Sequence, residues 1–199
     1  MADEVQPGSR LQVFPLTPER WPDLEQLFGT HGAYGGCWCM WWRLKRADFN
    51  NLSAENRKAA LKGLVDAGPA PGLLGYVEGV PAGWVSLAPR EAYPPLARSR
   101  ILKPVDDRPA WSVVCFFVAR AFRRQGLMSA LLQAAVQFAG ENGAQIVEGY
   151  PIDTPRPDYP DVYAYTGLME AFRRAGFVEV ERRSPTRPLM RCFLGETGS

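Results

Sequence analysis

The sequence has little of what marks a membrane or secreted protein. No apolar run approaches the roughly 20 residues needed to span a bilayer. The first residues, Met-Ala-Asp-Glu-Val-Gln-Pro-Gly, lack the basic start and the apolar stretch of a signal peptide. We therefore expect a cytoplasmic protein with no membrane partner.

Histidine and cysteine are also scarce, with one histidine and four cysteines among 199 residues. Cys37 and Cys39 are separated by a single residue, whereas zinc ligands favour spacings such as Cys-x2-Cys. Without a secretory signal, a disulfide framework is not expected either. We predict no metal site and thiols that pack as small hydrophobes. The alternative is a redox- or metal-responsive role for Cys37, Cys39 and Cys115.

The excess of positive charge is small, with a formal net charge of +2 at pH 7. Nucleic-acid-binding domains usually show a clustered basic face, so we expect no nucleic acid partner. Hydrophobic residues make up 46% of the chain and charged residues 22%, which is the balance of a soluble globular protein. The length fits one domain, and we predict a flexible terminus over residues 1–10 and a single domain over residues 11–195.

Hydrophobic patterning predicts a chain that mixes strands with helices. The predicted strands are residues 11–14, 73–77, 82–88, 111–118, 145–150, 177–183 and 189–194, and the predicted helices are residues 21–28, 54–67, 127–139 and 167–175. Antiparallel pairs at both ends of the chain indicate an α+β or mixed α/β protein. Residues 89–110 are predicted to be a long polar loop, and loops of that length usually bind something or are disordered.

The segment Cys37-Trp-Cys-Met-Trp-Trp-Arg43 holds three tryptophans within five residues and follows a glycine-rich stretch, residues 29–36. Aromatic residues mostly serve packing, so the segment can be a plug in the core. Flexible neighbours are typical of binding segments, so it can also form the wall of a substrate pocket. In the second interpretation the substrate-binding residues are Trp38, Trp41, Trp42 and Arg43, with Arg43 recognising an anion.

A predicted buried strand leads into Ala119-Arg-Ala-Phe-Arg-Arg-Gln-Gly126, and a helix is predicted to begin at the next residue. The first turn of a helix has free N–H groups and partial positive charge, which attract anions. Gly126 has no side chain to block a phosphate, and Arg123 and Arg124 add charge and forked donors. We interpret this turn as a pyrophosphate site, the alternative being solvated arginines beside a turn glycine. It carries neither a P-loop nor the dinucleotide-binding Gly-x-Gly-x-x-Gly pattern.

The turn resembles motif A of the GNAT superfamily of acyltransferases, which reads Gln/Arg-x-x-Gly-x-Gly/Ala. Arg123 and Gly126 match its first two fixed positions, whereas Met128 stands at the third. The run Phe172-Arg-Arg-Ala-Gly-Phe177 resembles a later motif of the same family, Tyr-x-x-x-Gly-Phe, with phenylalanine in place of the tyrosine. The segment from Cys37 to Arg43 is similar to that of one bacterial subgroup of the family.

The resemblance implies the GNAT fold, a mostly antiparallel central sheet of six to seven strands with one parallel splayed pair and about four flanking helices. It also implies acetyl-CoA as the cosubstrate. The pantetheine arm would pair with the backbone near the end of the predicted strand 111–118, and the Val118 N–H would stabilise the oxyanion. The cofactor-binding residues implied are Phe116, Phe117, Val118, Arg123, Arg124, Gln125, Gly126, Leu127, Met128, Ser129 and Phe172.

The implied reaction needs a base to take a proton from the amine, and it gains from an acid that protonates the departing thiolate. Phe172 cannot be that acid because it has no hydroxyl. We predict Tyr165, and next Tyr150, as the acid and Glu148 as the base. The alternatives are a Glu148 that is only salt-bridged and tyrosines that only pack.

We therefore expect an N-acetyltransferase that moves an acetyl group directly from acetyl-CoA to a primary amine. The acceptor would be a small molecule, a peptide or a protein. Because Phe172 replaces the usual tyrosine, the alternative is a non-catalytic module that binds or senses acyl-CoA. Dimers are common among the proteins that the sequence resembles, which makes a homodimer the assembly to test.

Overall fold

The computed structural model describes residues 11–153 and 165–195, and the predicted flexible terminus, residues 1–10, lies outside them. Seven strands form one sheet in the order β1-β2-β3-β4-β5-β7-β6. They are β1 (Leu11–Pro15), β2 (Gly72–Val77), β3 (Val80–Pro89), β4 (Trp111–Val118), β5 (Ile146–Gly149), β6 (Val178–Arg182) and β7 (Pro188–Phe193). Neighbours are antiparallel except β4 and β5, which are parallel. The predicted mostly antiparallel sheet with one parallel pair is thus confirmed.

Six α-helices lie within the described residues. They are α1 (Trp21–Phe28), α2 (Arg46–Asn51), α3 (Ala54–Ala67), α4 (Pro94–Arg98), α5 (Leu127–Glu141) and α6 (Met169–Arg174). The side chain of Ser53 accepts a hydrogen bond from the Asn56 N–H at 3.1 Å, which caps α3 at its predicted start. Among these helices, none is both long enough and apolar enough to cross a bilayer.

Neither α2 nor α4 follows from the hydrophobic pattern. Each is short and buries a single residue, Phe49 in α2 and Leu96 in α4, so no periodicity marks it. The connection 89–110 is therefore not the open loop that its composition predicted. Its residues Tyr93, Leu96 and Leu102 are buried against β4 and the end of β5.

The sheet is covered on both faces. Helix α5 packs across β2, β3 and β4 on one face. A Cβ atom at Gly75 or Gly83 would lie 2.9 or 2.8 Å from the Leu131 side chain, so these two glycines let the helix approach the sheet closely. The opposite face is covered by α1, α3 and the segment from Cys37 to Leu44. The functional elements are thus placed around β4, in the middle of the sheet.

Strands β4 and β5 pair over only part of their length. Their last pair is Val113 with Gly149, after which β5 ends and Pro151 follows, whereas β4 continues to Val118. Strand β3 stays beside β4 to its end and passes a bulge at Val114. The second half of β4 therefore has an edge that β5 does not cover, which we call the β4–β5 gap.

Candidate active site

The backbone of β4 presents two amides toward the β4–β5 gap. The Ala119 N–H donates to the Ala82 carbonyl at 2.9 Å, so by the alternation of an antiparallel pair the N–H groups of Phe116 and Val118 face away from β3. The Phe116 N–H donates to the Tyr165 carbonyl at 2.6 Å. The chain itself thus occupies the Phe116 amide that we expected to bind pantetheine, while the Val118 N–H keeps the orientation that its predicted role needs.

Helix α5 begins beside the end of β4 without a capping side chain. Its N-cap is Gly126, with φ of +78°, and within the described residues no side chain caps the helix start. The first intrahelical bond runs from the Ala130 N–H to the Gly126 carbonyl at 3.2 Å. The amides of Leu127, Met128 and Ser129 therefore have no acceptor within the helix, as in any helix start. An anion at this point would satisfy them and meet the positive end of the helix dipole.

The residues before α5 are exposed from Arg123 to Gly126. The Arg123 Nε donates to the Val118 carbonyl at 3.0 Å, which links the turn to the end of β4. The Gln125 side chain donates to the Ala121 carbonyl at 3.1 Å. Arg124 has a φ of 62°, and Gly126 also has a positive φ, so the backbone takes the left-handed conformation at two positions before the helix. The predicted phosphate-binding residues are thus gathered in one exposed turn.

The remaining predicted cofactor residues are less open. Leu127, the first residue of α5, is buried in the core between this helix and the sheet, and Met128 is half-buried against the same core. Phe117 points to the opposite face, where its ring centroid lies 5.4 Å from that of Phe28. The structure therefore leaves the methionine at the third motif position as part of the packing of α5. Ser129 is half-buried on the same helix.

Phe172 lies in the core rather than on the surface of the gap. Its ring is fully buried and makes edge contacts with Phe116 and Phe177, at centroid distances of 6.2 and 4.9 Å. A Cβ atom at Gly149 would lie 1.9 Å from this ring, so the ring fills the space against β5. The ring of Phe172 therefore has a packing role in this structure, and its predicted contact with the cofactor stays a prediction.

Glu148, predicted as the base, sits in a buried polar network. Its Oε1 accepts from Arg191 at 2.7 and 2.9 Å, and its Oε2 accepts from the Tyr150 hydroxyl at 2.8 Å and from Arg90. Arg191 also donates to both oxygens of Asp106, at 2.7 and 2.9 Å. We call Arg90, Asp106, Ser112, Glu148, Tyr150 and Arg191 the Glu148 network. A carboxylate that already accepts from two guanidinium groups is poorly placed to take a proton, so the structure favours the salt-bridged alternative.

Tyr150, predicted as an acid, belongs to the same network. Its hydroxyl lies 2.9 Å from the Ser112 hydroxyl and 2.5 Å from Arg90 Nη1, and the side chain is fully buried. Burial, and then the charge of Glu148, raise the pKa of Tyr150 well above its usual value. Because its hydroxyl is enclosed by network partners, the structure favours the alternative in which Tyr150 only packs, and its role as a proton donor stays a prediction.

Tyr165 stays close to the β4–β5 gap, since its carbonyl accepts the Phe116 N–H. Its side chain is half-buried, and burial raises its pKa, with Arg187 acting in the opposite direction. The phenol therefore keeps its proton at neutral pH, as an acid must before it donates. Of the two predicted tyrosines, Tyr165 is the one whose position suits that role.

The segment from Cys37 to Arg43 has residues that fit each of its two interpretations, the core plug and the wall of a substrate pocket. Trp38 is buried, with its ring centroid 6.0 Å from that of Trp21 and 5.5 Å from that of Phe28. Its burial favours the interpretation of Trp38 as a plug in the core, and its predicted contact with substrate stays a prediction. Trp41 is half-buried, with its ring against Phe49 at 5.1 Å and the Arg46 guanidinium at 3.4 Å.

Trp42 and Arg43 keep unused donors. Within the described part of the chain, the buried Trp42 Nε1 and Arg43 Nε have no hydrogen-bond partner. Arg43 Nη2 donates to the Pro71 carbonyl at 2.8 Å and to the Tyr93 hydroxyl at 3.1 Å. These two side chains remain candidates for an acceptor-side wall, because buried donors usually find an acceptor.

Sequence reasoning missed the other three charged members of the Glu148 network, namely Arg90, Asp106 and Arg191, as well as the Ser112 hydroxyl on β4. A signal for one of them is present, since Arg191 interrupts the apolar run Pro-Leu-Met-Arg-Cys-Phe of β7. A charge inside a buried strand needs a partner. The other two charged residues lie in the connection 89–110, where no pattern marks them.

The Arg191–Asp106 contact predicts a dependence of stability on pH. Hydrogen bonds from Arg191 hold the pKa of Asp106 well below its usual range. A lowered folded-state pKa stabilises the fold above the ordinary aspartate pKa of about 3.9, and that stability is lost as the pH falls further. We expect Asp106→Asn to destabilise the protein at pH 7 and to differ less from the wild type at pH 3 in urea unfolding. Asp107→Asn, at an exposed neighbour, is the control, and an equal Asp106→Asn effect at both pH values would contradict the assignment.

Comparisons with known proteins agree with this architecture. The sequence profile of the acetyltransferase (GNAT) family matches residues 38–152. No curated protein matches the sequence closely enough to count as a relative. An aminoglycoside N-acetyltransferase solved in complex with CoA is similar in structure, with 17% identity, a TM-score of 0.55, and coverage of 90% of this chain and 95% of that one.

Two further solved structures show the same fold. An uncharacterised protein from Bacillus halodurans has 15% identity and a TM-score of 0.54, with 96% of this chain and 88% of that one covered. A GCN5-related N-acetyltransferase from Kribbella flavida has 17% identity and a TM-score of 0.53, with 92% and 98% covered. At such identities the likeness concerns the fold alone. Because the family profile spans more than half of the chain, the protein belongs to the GNAT acetyltransferase family.

Proposed function

We propose that this protein transfers an acetyl group from acetyl-CoA to a primary amine of a small molecule, peptide or protein, by direct attack of the amine on the thioester. The observation that carries the proposal is the uncapped start of α5 at the end of β4, preceded by the exposed turn from Arg123 to Gly126. Membership of the family supports acetyl transfer, and the turn supports a donor that carries phosphate groups.

Each part of the proposed donor site has a distinct role. The first-turn amides of α5 and the guanidinium groups of Arg123 and Arg124 bind the pyrophosphate. The Val118 N–H, which faces the β4–β5 gap, stabilises the negative charge that develops on the thioester oxygen during attack. Tyr165 protonates the leaving thiolate, since its hydroxyl keeps its proton and its backbone is bonded to β4.

The acceptor approaches, in this proposal, from the face of the sheet opposite α5. Trp42 and Arg43 lie on that face beside Tyr93, and the two unpartnered donors would receive acceptor groups of the substrate. Glu148 holds the connection 89–110 against β5 and β7 instead of taking the amine proton. The proton of the amine is then taken by a water molecule that solvates it, or by a side chain that acts through such a water.

Thermal unfolding with and without acetyl-CoA tests the proposal. A ligand at 100 times its dissociation constant adds about 2.7 kcal/mol to the free energy of unfolding. For a chain of this size we expect the Tm to rise by about 5–10 °C. Acetyl-pantetheine, which lacks the pyrophosphate, is the matched control and should shift the Tm much less. No shift at millimolar acetyl-CoA would count against the donor site.

The second candidate function is a module that binds or senses acyl-CoA without transferring the acyl group. Two features favour it. Phe172 at the usual tyrosine position has no hydroxyl to protonate the leaving thiolate, and the Phe116 N–H already donates to the Tyr165 carbonyl instead of to the pantetheine arm. Release of free CoA thiol across a panel of primary amines separates the two functions. Thiol release with any amine supports the enzyme, and binding without release from any of them supports the module.

A further inference from the structure

Cys39 and Cys115 bring two thiols into contact across 76 residues of chain, with their sulfur atoms 3.5 Å apart. Cys39 lies in the segment between α1 and α2, and Cys115 lies on β4 next to its bulge. A disulfide bond is about 2.05 Å long, so a movement of about 1.5 Å would join the two sulfurs. The proposed acetyl transfer uses neither thiol.

The backbone around Cys39 has an uncommon conformation. Trp38 and Cys39 have φ values of 45° and 50°, and Gly35 and Gly36 before them also have positive φ. Side chains other than glycine rarely adopt this region, and such positions concentrate where a segment is held by its surroundings or switches between arrangements. The segment that carries Cys39 is therefore held in place by the packing of Trp38 rather than by regular structure.

The two sulfurs differ in environment. The Trp84 Nε1–H donates to the Cys39 sulfur at 3.1 Å, which holds this buried sulfur beside Cys115. The hydrogen bond with Cys39, and then burial, raise the pKa of Cys115, so Cys115 keeps its proton. Burial raises the pKa of the third nearby thiol, Cys37, to about 11. Cys37 and Cys115 thus both hold their protons, so the reaction proposed below begins at Cys39, with Cys115 beside it as the second thiol.

We propose that Cys39 and Cys115 are a modification site at which a hydroperoxide forms a disulfide. The Cys39 thiolate attacks one oxygen of the peroxide and becomes a sulfenic acid, and the other oxygen takes a proton and leaves as water or an alcohol. Cys115 then attacks the Cys39 sulfur, and its proton leaves with the sulfenic hydroxyl as water. The two thiols are oxidised together, one peroxide is reduced, and a small dithiol reverses the reaction.

The bond would tie the segment from Cys37 to Arg43 to the central strand. Cys115 belongs to the packing on the face opposite α5, whereas the start of α5 packs on the other face. Oxidation therefore restrains the side on which Trp42 and Arg43 lie and leaves the turn from Arg123 to Gly126 unchanged. The site stands on its own geometry and does not depend on the proposed function.

The test treats reduced, full-length protein with hydrogen peroxide, alkylates the remaining thiols and maps the peptides by mass spectrometry. We expect one intramolecular disulfide between Cys39 and Cys115, with a loss of two hydrogen atoms, and alkylation of Cys37 and Cys192. The Tm should rise by about 5–10 °C, because the bond closes a long loop in the unfolded chain. Dithiothreitol should return both the mass and the Tm.

Single serine variants provide the controls. Cys39→Ser and Cys115→Ser should abolish the bond, whereas Cys37→Ser and Cys192→Ser should leave it in place. A disulfide that includes Cys37 would overturn the assignment, as would reduced Cys39 and Cys115 under conditions that oxidise Cys192. Because the readout is covalent mapping, a variant that is less stable still gives an answer.

Discussion

Replacing Gly126 with glutamate is expected to abolish CoA binding while leaving the fold largely intact. Gly126 is exposed, and a Cβ atom there would meet no heavy atom within 4 Å, so the side chain fits. The φ of +78° costs a residue other than glycine about 1–2 kcal/mol. The new carboxylate, however, would lie where the pyrophosphate is proposed to bind.

The expected loss of affinity is large because like charges meet at close range in the turn. Two unit charges 4 Å apart repel by about 4 kcal/mol at an effective dielectric constant of about 20, which is about a thousandfold in the dissociation constant. Calorimetric titration with CoA measures the dissociation constants of the variant and the wild type. If Gly126→Glu bound CoA as the wild type does, the start of α5 would not be the donor site.

Gly143→Glu is the matched control for this experiment. Gly143 follows the other end of α5, has φ of +84° and is exposed, and a Cβ atom there would also meet no heavy atom within 4 Å. The substitution therefore introduces the same charge and a similar backbone strain far from the helix start. We expect it to lower the Tm about as much as Gly126→Glu does and to leave CoA affinity unchanged.

Replacing Glu148 with glutamine is expected to lower the free energy of unfolding by about 3–5 kcal/mol, because it leaves buried guanidinium groups without their counter-charge. Arg191 is 1% exposed and donates to Glu148 through two nitrogens, and Arg90 reaches the other carboxylate oxygen. Urea unfolding at pH 7 measures the loss. Glutamine keeps the shape of the side chain, so the effect reports charge rather than a cavity.

Glu181→Gln is the control for Glu148→Gln. Glu181 lies on β6, two strands from β5, and pairs with Arg183 at 3.3 Å with its side chain 38% exposed. Exposed pairs contribute about 0–1 kcal/mol, so this variant should be nearly as stable as the wild type. A Glu148→Gln protein of normal stability that had lost only its turnover would instead support Glu148 as the base and contradict the structural role.

Features that depend on neighbours in the chain were predictable. The periodicity of apolar residues located α1, α3 and α5, and α3 begins at its predicted first residue, where the Ser53 side chain bonds the amide three residues on. The two strands on either side of Glu78 and Gly79 were also predicted from the sequence. The short helices α2 and α4 were not, because a helix of one or two turns owes its stability to tertiary packing.

The same distinction between local and long-range features applies to the predicted site. The turn from Arg123 to Gly126 is a local structure, and it stands at the start of a helix as its sequence indicated. Glu148 and Tyr150 were chosen for their residue types and their places in the chain. Apart from each other, their partners are 38 to 60 residues away in the chain, so no window of sequence could show that their oxygens were already engaged.

The sequence by itself therefore determined the order of the main elements and the exposed turn before α5, since both follow from backbone preferences and hydrophobic spacing over a few residues. Only the tertiary structure decided which polar groups are engaged in hydrogen bonds and ion pairs that hold the fold together. It buried Trp38 while leaving donors of Trp42 and Arg43 unused, and it brought Cys39 to Cys115. The physical reason is that burial and pairing depend on contacts between distant segments, which the folding of the whole sheet creates.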